Sequence, residues 1–334
     1  MKVLVVGATG HIGTYLVPRL VMAGHEVVAM SRGQRGPYLE HPAWDQVERV
    51  QVDREAEDGA TTFGSRVAAL RPDAVVDLVC FSVPSARQLL EALVPLGSYL
   101  LHCGTIWVHG SAVEVPVAED EARQPFGDYG TQKAAIEELL LGAAHQGRLR
   151  CTVLRPGHIV GPGWAPVNPA GNLNLEVFNR LARGDELALP NLGLETVHHV
   201  HADDVAQGFA LALSHPGAAS GQAFHMVSAR ALTLRGYAES VAAWFGQSAR
   251  LSFQPWETWA GAWEPQDAQA TWDHISHSPS MSIDKAVKAL GYRPRYSSLD
   301  AVFESLAWLV EHGQVDAAGH ELHRSSLMPA VYQA

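Results

Sequence analysis

The sequence predicts an α/β fold, a doubly wound parallel sheet with a smaller mixed α/β C-terminal lobe. Three observations predict it. Short β-branched runs alternate with amphipathic helical stretches over residues 2–154. Three glycines, Gly7, Gly10 and Gly13, lie between the first such run and the first helical pattern. At Gly161 the texture changes, and GPGWAPVNPAGN is rich in Gly, Pro and Asn. Alternation of strand and helix implies parallel strands, and right-handed crossovers then fix the winding.

Each element follows from its own pattern. Residues 2–6 (KVLVV) form a continuous apolar run, as in a strand buried on both faces. Over 11–23, Ile12, Leu16 and Leu20 recur at helical spacing. Strands follow at 26–30 (EVVAM), 48–53 (ERVQVD), 74–79 (AVVDLV), 98–103 (SYLLHC) and 151–154 (CTVL). Helices are predicted over 84–96 and 129–144, and beyond Gly161 over 175–183, 202–213, 234–245, 283–290 and 299–311. Further strands are predicted at 196–200 and 223–227, returning to the first sheet, while 254–280 reads as irregular and Trp-rich. The expected organisation is residues 1–160 for the sheet domain, with 196–228 returning to it. Residues 161–195 and 229–315 make the lobe, and 316–334 a C-terminal tail.

Composition narrows the function. The formal charge is -11, from 24 basic and 35 acidic side chains, and no Lys/Arg-rich block occurs. Binding to nucleic acid or to an anionic membrane rests on neutralising phosphates, so neither partner is expected. No apolar run approaches the ~20 residues of a membrane span, and residue 1 leads straight into a strand. Cys80, Cys103 and Cys151 lie in apolar runs without a CxxC pair, as buried small hydrophobes do. The expected address is the cytoplasm and the expected partner a small molecule.

The glycines point to a dinucleotide. Gly7 suits the tight turn, Gly10 lets a pyrophosphate approach the backbone, and Gly13 lets the helix pack closely. The helix start then offers free N–H groups and a positive dipole to phosphates. An acid at the end of the second strand would bind the ribose 2′-hydroxyl of NAD. Here that strand ends Met30-Ser31-Arg32-Gly33. Arg32 can pair with a 2′-phosphate and Ser31 can donate to it, which favours NADP over NAD. Asp53, after the third strand, is placed near the adenine.

A second constellation suits proton transfer. Tyr129 and Lys133, in FGDYGTQKAAIEELL, share a helix face at i and i+4. A phenol with an ordinary pKa near ~10 is a poor base at neutral pH, and an adjacent ammonium should lower it. Thr105, at the end of the fifth strand, faces the crevice where such sheets bind ligands and can hold the oxygen that Tyr129 protonates.

With these residues assembled, the sequence resembles the extended short-chain dehydrogenase/reductase family, the NAD-dependent epimerase/dehydratases. The resemblance rests on GATGHIG at 7–13, Thr105 with VHG at 108–110, YGTQK at 129–133, LRPGHIVGPG at 154–163 and HVHADDVA at 199–206. It implies a Rossmann domain with a small substrate lobe, and a homodimer through helices 84–96 and 129–145. It makes Thr105, Tyr129 and Lys133 the catalytic set, with Lys133 also on the nicotinamide ribose. Cofactor contacts are then expected from Gly7, Thr9, Gly10, His11, Ile12, Gly13, Ser31, Arg32, Asp53, Val79, Tyr129, Lys133 and Pro156. Substrate contacts are expected from Thr105, Trp107, His109, His158 and Asn172.

The sequence also departs from the family. Ile106 and Trp107 stand where 4,6-dehydratases carry Asp-Glu, so sugar 4,6-dehydration is not expected. Val197 stands where nucleotide-sugar members carry a diphosphate-binding Arg, and WDHISHSPSM offers no second one. His198, His274 or His277 could serve there less well. Val79 and Phe81 should narrow the wall beside the cofactor. His198, His199, His201, Asp203 and Asp204 have the composition of a metal cluster, but the resemblance gives this segment a structural part and no metal is expected. Trp256, Trp259 and Trp263 at i, i+3, i+7 read as core or lid, with a sugar-stacking platform as the alternative. Asn168, Asn172 and Asn174 either donate to substrate hydroxyls or build turns. The functional expectation is NAD(P)-dependent hydride transfer at a secondary alcohol or ketone of a sugar-like molecule, as epimerase or as net dehydrogenase/reductase. The alternative is a non-catalytic NAD(P)-binding regulator or an RNA-associated member of the same fold.

Overall fold

A computed structural model describes residues 1–324 of the chain. Its N-terminal part alternates β1 (Lys2–Val6), α1 (His11–Met22), β2 (Glu26–Ser31), β3 (Glu48–Gln51), α2 (Arg54–Gly59), α3 (Phe63–Ala69), β4 (Ala74–Asp77), α4 (Val83–Leu93), β5 (Tyr99–Cys103), α5 (Gly127–His145) and β6 (Arg150–Pro156). The chain continues through β7 (His158–Val160), α6 (Glu176–Arg183), β8 (Glu186–Pro190), β9 (Thr196–Val197), β10 (His199–His201), α7 (Ala202–Ser214), α8 (Pro216–Ala219) and β11 (Gln222–Met226). It closes with β12 (Leu232–Thr233), α9 (Leu234–Trp244), β13 (Arg250–Gln254), α10 (Trp256–Ala260), α11 (Pro265–Ile275), α12 (Asp284–Leu290) and α13 (Ser298–Glu311).

The main sheet has seven strands in the order β11-β6-β5-β4-β1-β2-β3, all parallel. Because β1 lies between β4 and β2, the strand order reverses there, and the C-terminal ends open a crevice. Both faces are covered. Val3, Val5 and Leu101 pack with α1 and α7 on one side, and Leu4, Val75 and Leu100 with α3, α4 and α5 on the other. A separate apolar cluster, centred on Phe178, Tyr237, Trp259 and Leu306, forms the lobe. Among the described residues no helix is long and apolar enough to cross a membrane.

Several expectations need correction. The strand near 225 does join the sheet, as β11, but the one expected over 196–200 does not. It splits into β9, antiparallel to β12, and β10, parallel to β7. Residues 254–280 are not irregular, since they hold the end of β13 and helices α10 and α11, and β13 pairs with β8. Trp259 explains the obscured pattern: it is fully buried, and its indole N–H donates to Ala188 O at 2.9 Å. Helix α10 ends at Ala260, so Trp263 stacks on Trp259 from beyond the helix. The tryptophans are core. Residues 316–324 of the expected tail lie on the lobe, where His323 N donates to Trp244 O at 2.8 Å and Asp316 N to Asn179 Oδ1 at 2.9 Å. The rest of the tail is outside the described residues.

Candidate active site

The turn after β1 is built by its glycines. Gly7 has φ 85°, and a Cβ there would come 2.8 Å from the Val79 side chain. A Cβ on Gly13 would come 2.1 Å from the carbonyl oxygen of Ala8. Only glycine allows so sharp a turn to be closed by a helix. Helix α1 then starts at Gly10 without a side-chain cap and without an acid in its first turn. By contrast Asp53, Ser82, Thr233 and Ser297 cap α2, α4, α9 and α13. An uncapped, acid-free helix start suits an anion.

From this turn a groove of about 1620 Å³ runs along the crevice. Of the residues assigned to the cofactor, Gly7, Thr9, Gly10, Ser31, Arg32, Asp53 and Val79 line it. Asp53 also caps α2, accepting from Ala56 N at 3.3 Å. His11 and Ile12 do not line it with their side chains. The His11 ring stacks on Trp164 at 4.7 Å, and Ile12 packs into the core below. Pro156 is buried at the end of β6, in register with Met226, and is not part of this lining. Arg35 was missed by the sequence reading. It lines the groove with its guanidinium 4.8 Å from the Tyr38 ring centroid. The repeat of arginine in Ser31-Arg32-Gly33-Gln34-Arg35 was the available signal. Arg54 was missed too: it is buried, pairs with Asp77 and donates to Ser85 Oγ at 2.9 Å from its Nη2. The glycine turn, the bare helix start and the cationic end together fit a dinucleotide.

The three residues assigned to chemistry, Thr105, Tyr129 and Lys133, are not part of this lining and adjoin the groove through Phe81. Lys133 is almost fully buried and donates from Nζ to the carbonyl oxygens of Cys80 and Cys103, each at 2.8 Å. Phe81, which lines the groove, covers that ammonium at 4.7 Å. Thr105 caps the short turn Ile106–Val108, accepting from Trp107 N at 3.3 Å. Tyr129, 42% exposed, stands edge-on to Trp107 at 5.5 Å, close to the Thr105 side chain. Helix α5 reaches this turn through Gly130, where a Cβ would lie 3.0 Å from Trp107 O. The helix is fixed from behind by Glu137, one turn beyond Lys133, which accepts from Arg155 Nε at 2.9 Å in a fully buried pair.

The expected effect of Lys133 on Tyr129 is absent from this geometry. Burial pushes the phenol up to about 12, and the nearby Thr105 side chain opposes it. The ammonium is engaged by two carbonyls and lies 5.9 Å from the Tyr129 ring centroid. Burial also lowers the pKa of Lys133 itself, opposed by Cys103 and Cys80.

The assigned substrate residues divide. Trp107 and Thr105 adjoin Tyr129. His158, buried at the start of β7, has its ring 5.2 Å from that of His274, which in turn lies 5.7 Å from Trp107. His109 does not face the site. Its Nε2 lies 2.9 Å from both Arg155 Nη1 and His225 Nε2, within the buried network behind α5. Asn172 is fully buried and spent within its loop. Its Nδ2 donates to Thr271 Oγ1 at 3.1 Å, and its Oδ1 accepts from Asn168 Nδ2 at 2.6 Å. The segment around β10 is structural throughout. His199 Nε2 donates to Val167 O at 2.9 Å, His201 caps α7, and Asp203 pairs with Arg19 and Arg295. Among the described residues, only Asp77, Cys80 and His102 bring three possible metal-ligand atoms within 4.8 Å of one another. The Arg54 guanidinium already occupies Asp77.

The sequence from 3 to 226 matches the model of the NAD-dependent epimerase/dehydratase family. The chain belongs to this family. A 2'-dehydrokanamycin reductase of Streptomyces kanamyceticus is 29% identical over 325 residues, covering 95% of this chain and 87% of the relative. The 41 kDa b chloroplast stem-loop binding protein of Arabidopsis thaliana is 24% identical, over 91% of this chain and 78% of its own length. Among solved structures, UDP-glucose 4-epimerase of Thermotoga maritima with UDP-glucose superposes with a TM-score of 0.71 at 21% identity, covering 93% of this chain and 99% of that one. The family member described here is thus an α/β protein of the epimerase/dehydrogenase type with sugar-related relatives.

Proposed function

We propose that this family member is an NADP-dependent oxidoreductase acting on a ketone or secondary alcohol of a polyhydroxylated substrate that carries no nucleotide. The observation that carries the reading is that Lys133, with Tyr129 near it, sits against Phe81, which lines the same groove as Arg32 and Arg35. When bound, the nicotinamide supplies or takes up the hydride. In the reducing direction Tyr129 gives its proton to the carbonyl oxygen and Thr105 holds that oxygen by a hydrogen bond. Arg32 and Arg35, with no acid at the end of β2, support NADP.

Two features favour net reduction over recycling epimerisation of a nucleotide sugar. Val197 is fully buried where a diphosphate-binding arginine would stand, and the relative of highest identity given above is a reductase. Ile106, also buried, transfers no proton, which disfavours 4,6-dehydration. The stem-loop binding relative keeps an RNA-associated reading in view, but the -11 charge opposes it.

Mass spectrometry of nucleotide released from denatured protein tests the reading. An empty site that takes up NADPH in preference to NADH is expected, with the preference lost in Arg32→Ala. Stoichiometric, non-exchanging NAD would instead mean an epimerase-like enzyme.

A further inference from the structure

We propose that His158, His274 and His277, gathered round Trp107 beside Tyr129, form a subsite that reads the hydroxyl groups of a neutral polyol. The inference rests on the oxidoreductase reading and names the substrate class of that same site.

Two distant segments supply the rings: β7, and helix α11 with the turn that follows it. Trp107 lies 5.7 Å from His274 and 5.6 Å from His277 and stands edge-on to Tyr129, and His158 joins the group through His274 at 5.2 Å. His158 is only 9% exposed and His277 4%, yet neither ring nitrogen of either has a partner among the described residues. Native interiors leave few polar atoms in this state, and unpartnered ones call for a ligand or water. His274 donates from Nδ1 to Gly171 O at 3.0 Å, which leaves its Nε2 as an acceptor.

The chemistry selects the ligand. A neutral imidazole offers one donor and one acceptor, and so does a hydroxyl. A diphosphate offers acceptors only and calls for cations. The titratable groups acting on His158 and His277 are other histidines, with no Lys or Arg among them. Burial first, then these neighbours, holds both rings below the ordinary imidazole pKa and therefore neutral. The three rings do not form a metal site, because their ligand atoms do not converge within 4.8 Å.

Calorimetric titration of the full chain with NADP+ present tests this, using a panel of free hexoses and cyclitols, and UDP. At least one neutral polyol should bind. His158→Phe and His277→Phe should each weaken it about tenfold or more while NADP+ affinity stays that of the wild type, which also reports an intact fold. His158→Asn, restoring a donor and an acceptor, should recover most of the affinity. No polyol binding, polyol affinity indifferent to both phenylalanine variants, or UDP binding abolished by them would each overturn the proposal. The titrations need no turnover. Histidine-dependent polyol binding without hydride transfer would therefore defeat the oxidoreductase reading and leave the subsite standing.

Discussion

His198 and His225 are buried as deeply as His158 and His277, but the two pairs are tied into the protein in opposite ways. His198 Nε2 meets Ser228 O at 2.8 Å and its Nδ1 accepts from Met281 N at 3.1 Å. His225 has its Nδ1 3.0 Å from Ser282 O and its Nε2 2.9 Å from His109. Among the described residues His158 and His277 have no partner at either nitrogen. The same holds for His11, at the start of α1, and for His102, grouped with Asp77 and Cys80. Of these, His277 adjoins Trp107 and His158 adjoins His274, while His11 stacks on Trp164 and His102 lies in β5. Burial alone therefore does not separate a structural histidine from one waiting for a ligand; the count of partners does.

The largest effect should come from breaking the saturated network behind α5. Arg155→Met leaves Glu137 buried and uncompensated by its main partner, and should cost about 3–5 kcal/mol in denaturant unfolding. A loss below about 1 kcal/mol would mean that the pair is not what fixes α5. His225→Phe should cost less, about 1–3 kcal/mol, since it strands the Ser282 carbonyl. His277→Phe strands nothing and should be neutral or slightly stabilising. Equal destabilisation by the last two substitutions would erase the distinction between the pairs.

Acid should act on both pairs together. His109 and His199 are held at about 3, and His198 and His277 at about 4, chiefly by burial. In the unfolded chain such rings protonate near ~6.5, so below that pH the unfolded state binds more protons and stability falls with pH. The contribution is fully present above ~6.5 and is lost as pH falls towards 3–4, by up to about 1.4 kcal/mol per ring and pH unit. Thermal melts should be flat above neutrality and drop steeply below about pH 6. A melting temperature constant down to pH 4 would contradict neutral burial. The smallest effect should be that of Arg32→Ala, which touches neither pair. It should weaken NADPH about tenfold and leave NADH nearly unchanged, as titration of the nicotinamide fluorescence would report.

The glycine turn and the pairing of Tyr129 with Lys133 were legible in the sequence because their signals are local. The spacing of Gly7, Gly10 and Gly13 encodes one turn, and Tyr129 and Lys133 share one helix. The proposed substrate subsite was not legible, because Trp107, His158, His274 and His277 meet only through tertiary packing. His109 and Asn172 show the reverse error. The resemblance marked both as substrate residues, yet protein partners had already taken Nε2 of His109 and the amide of Asn172. The effect of Lys133 on Tyr129 also could not be read from spacing, since it depends on the Cys80 and Cys103 carbonyls that hold the ammonium.

The most direct test of the account follows loss of reduced nicotinamide absorbance when the protein meets NADPH and a panel of free polyhydroxylated ketones. The account predicts turnover of at least one ketone by the wild type. It also predicts a loss of at least about a hundredfold in Tyr129→Phe, with NADPH binding unchanged. Full activity in Tyr129→Phe, or turnover confined to nucleotide-linked sugars, would contradict it.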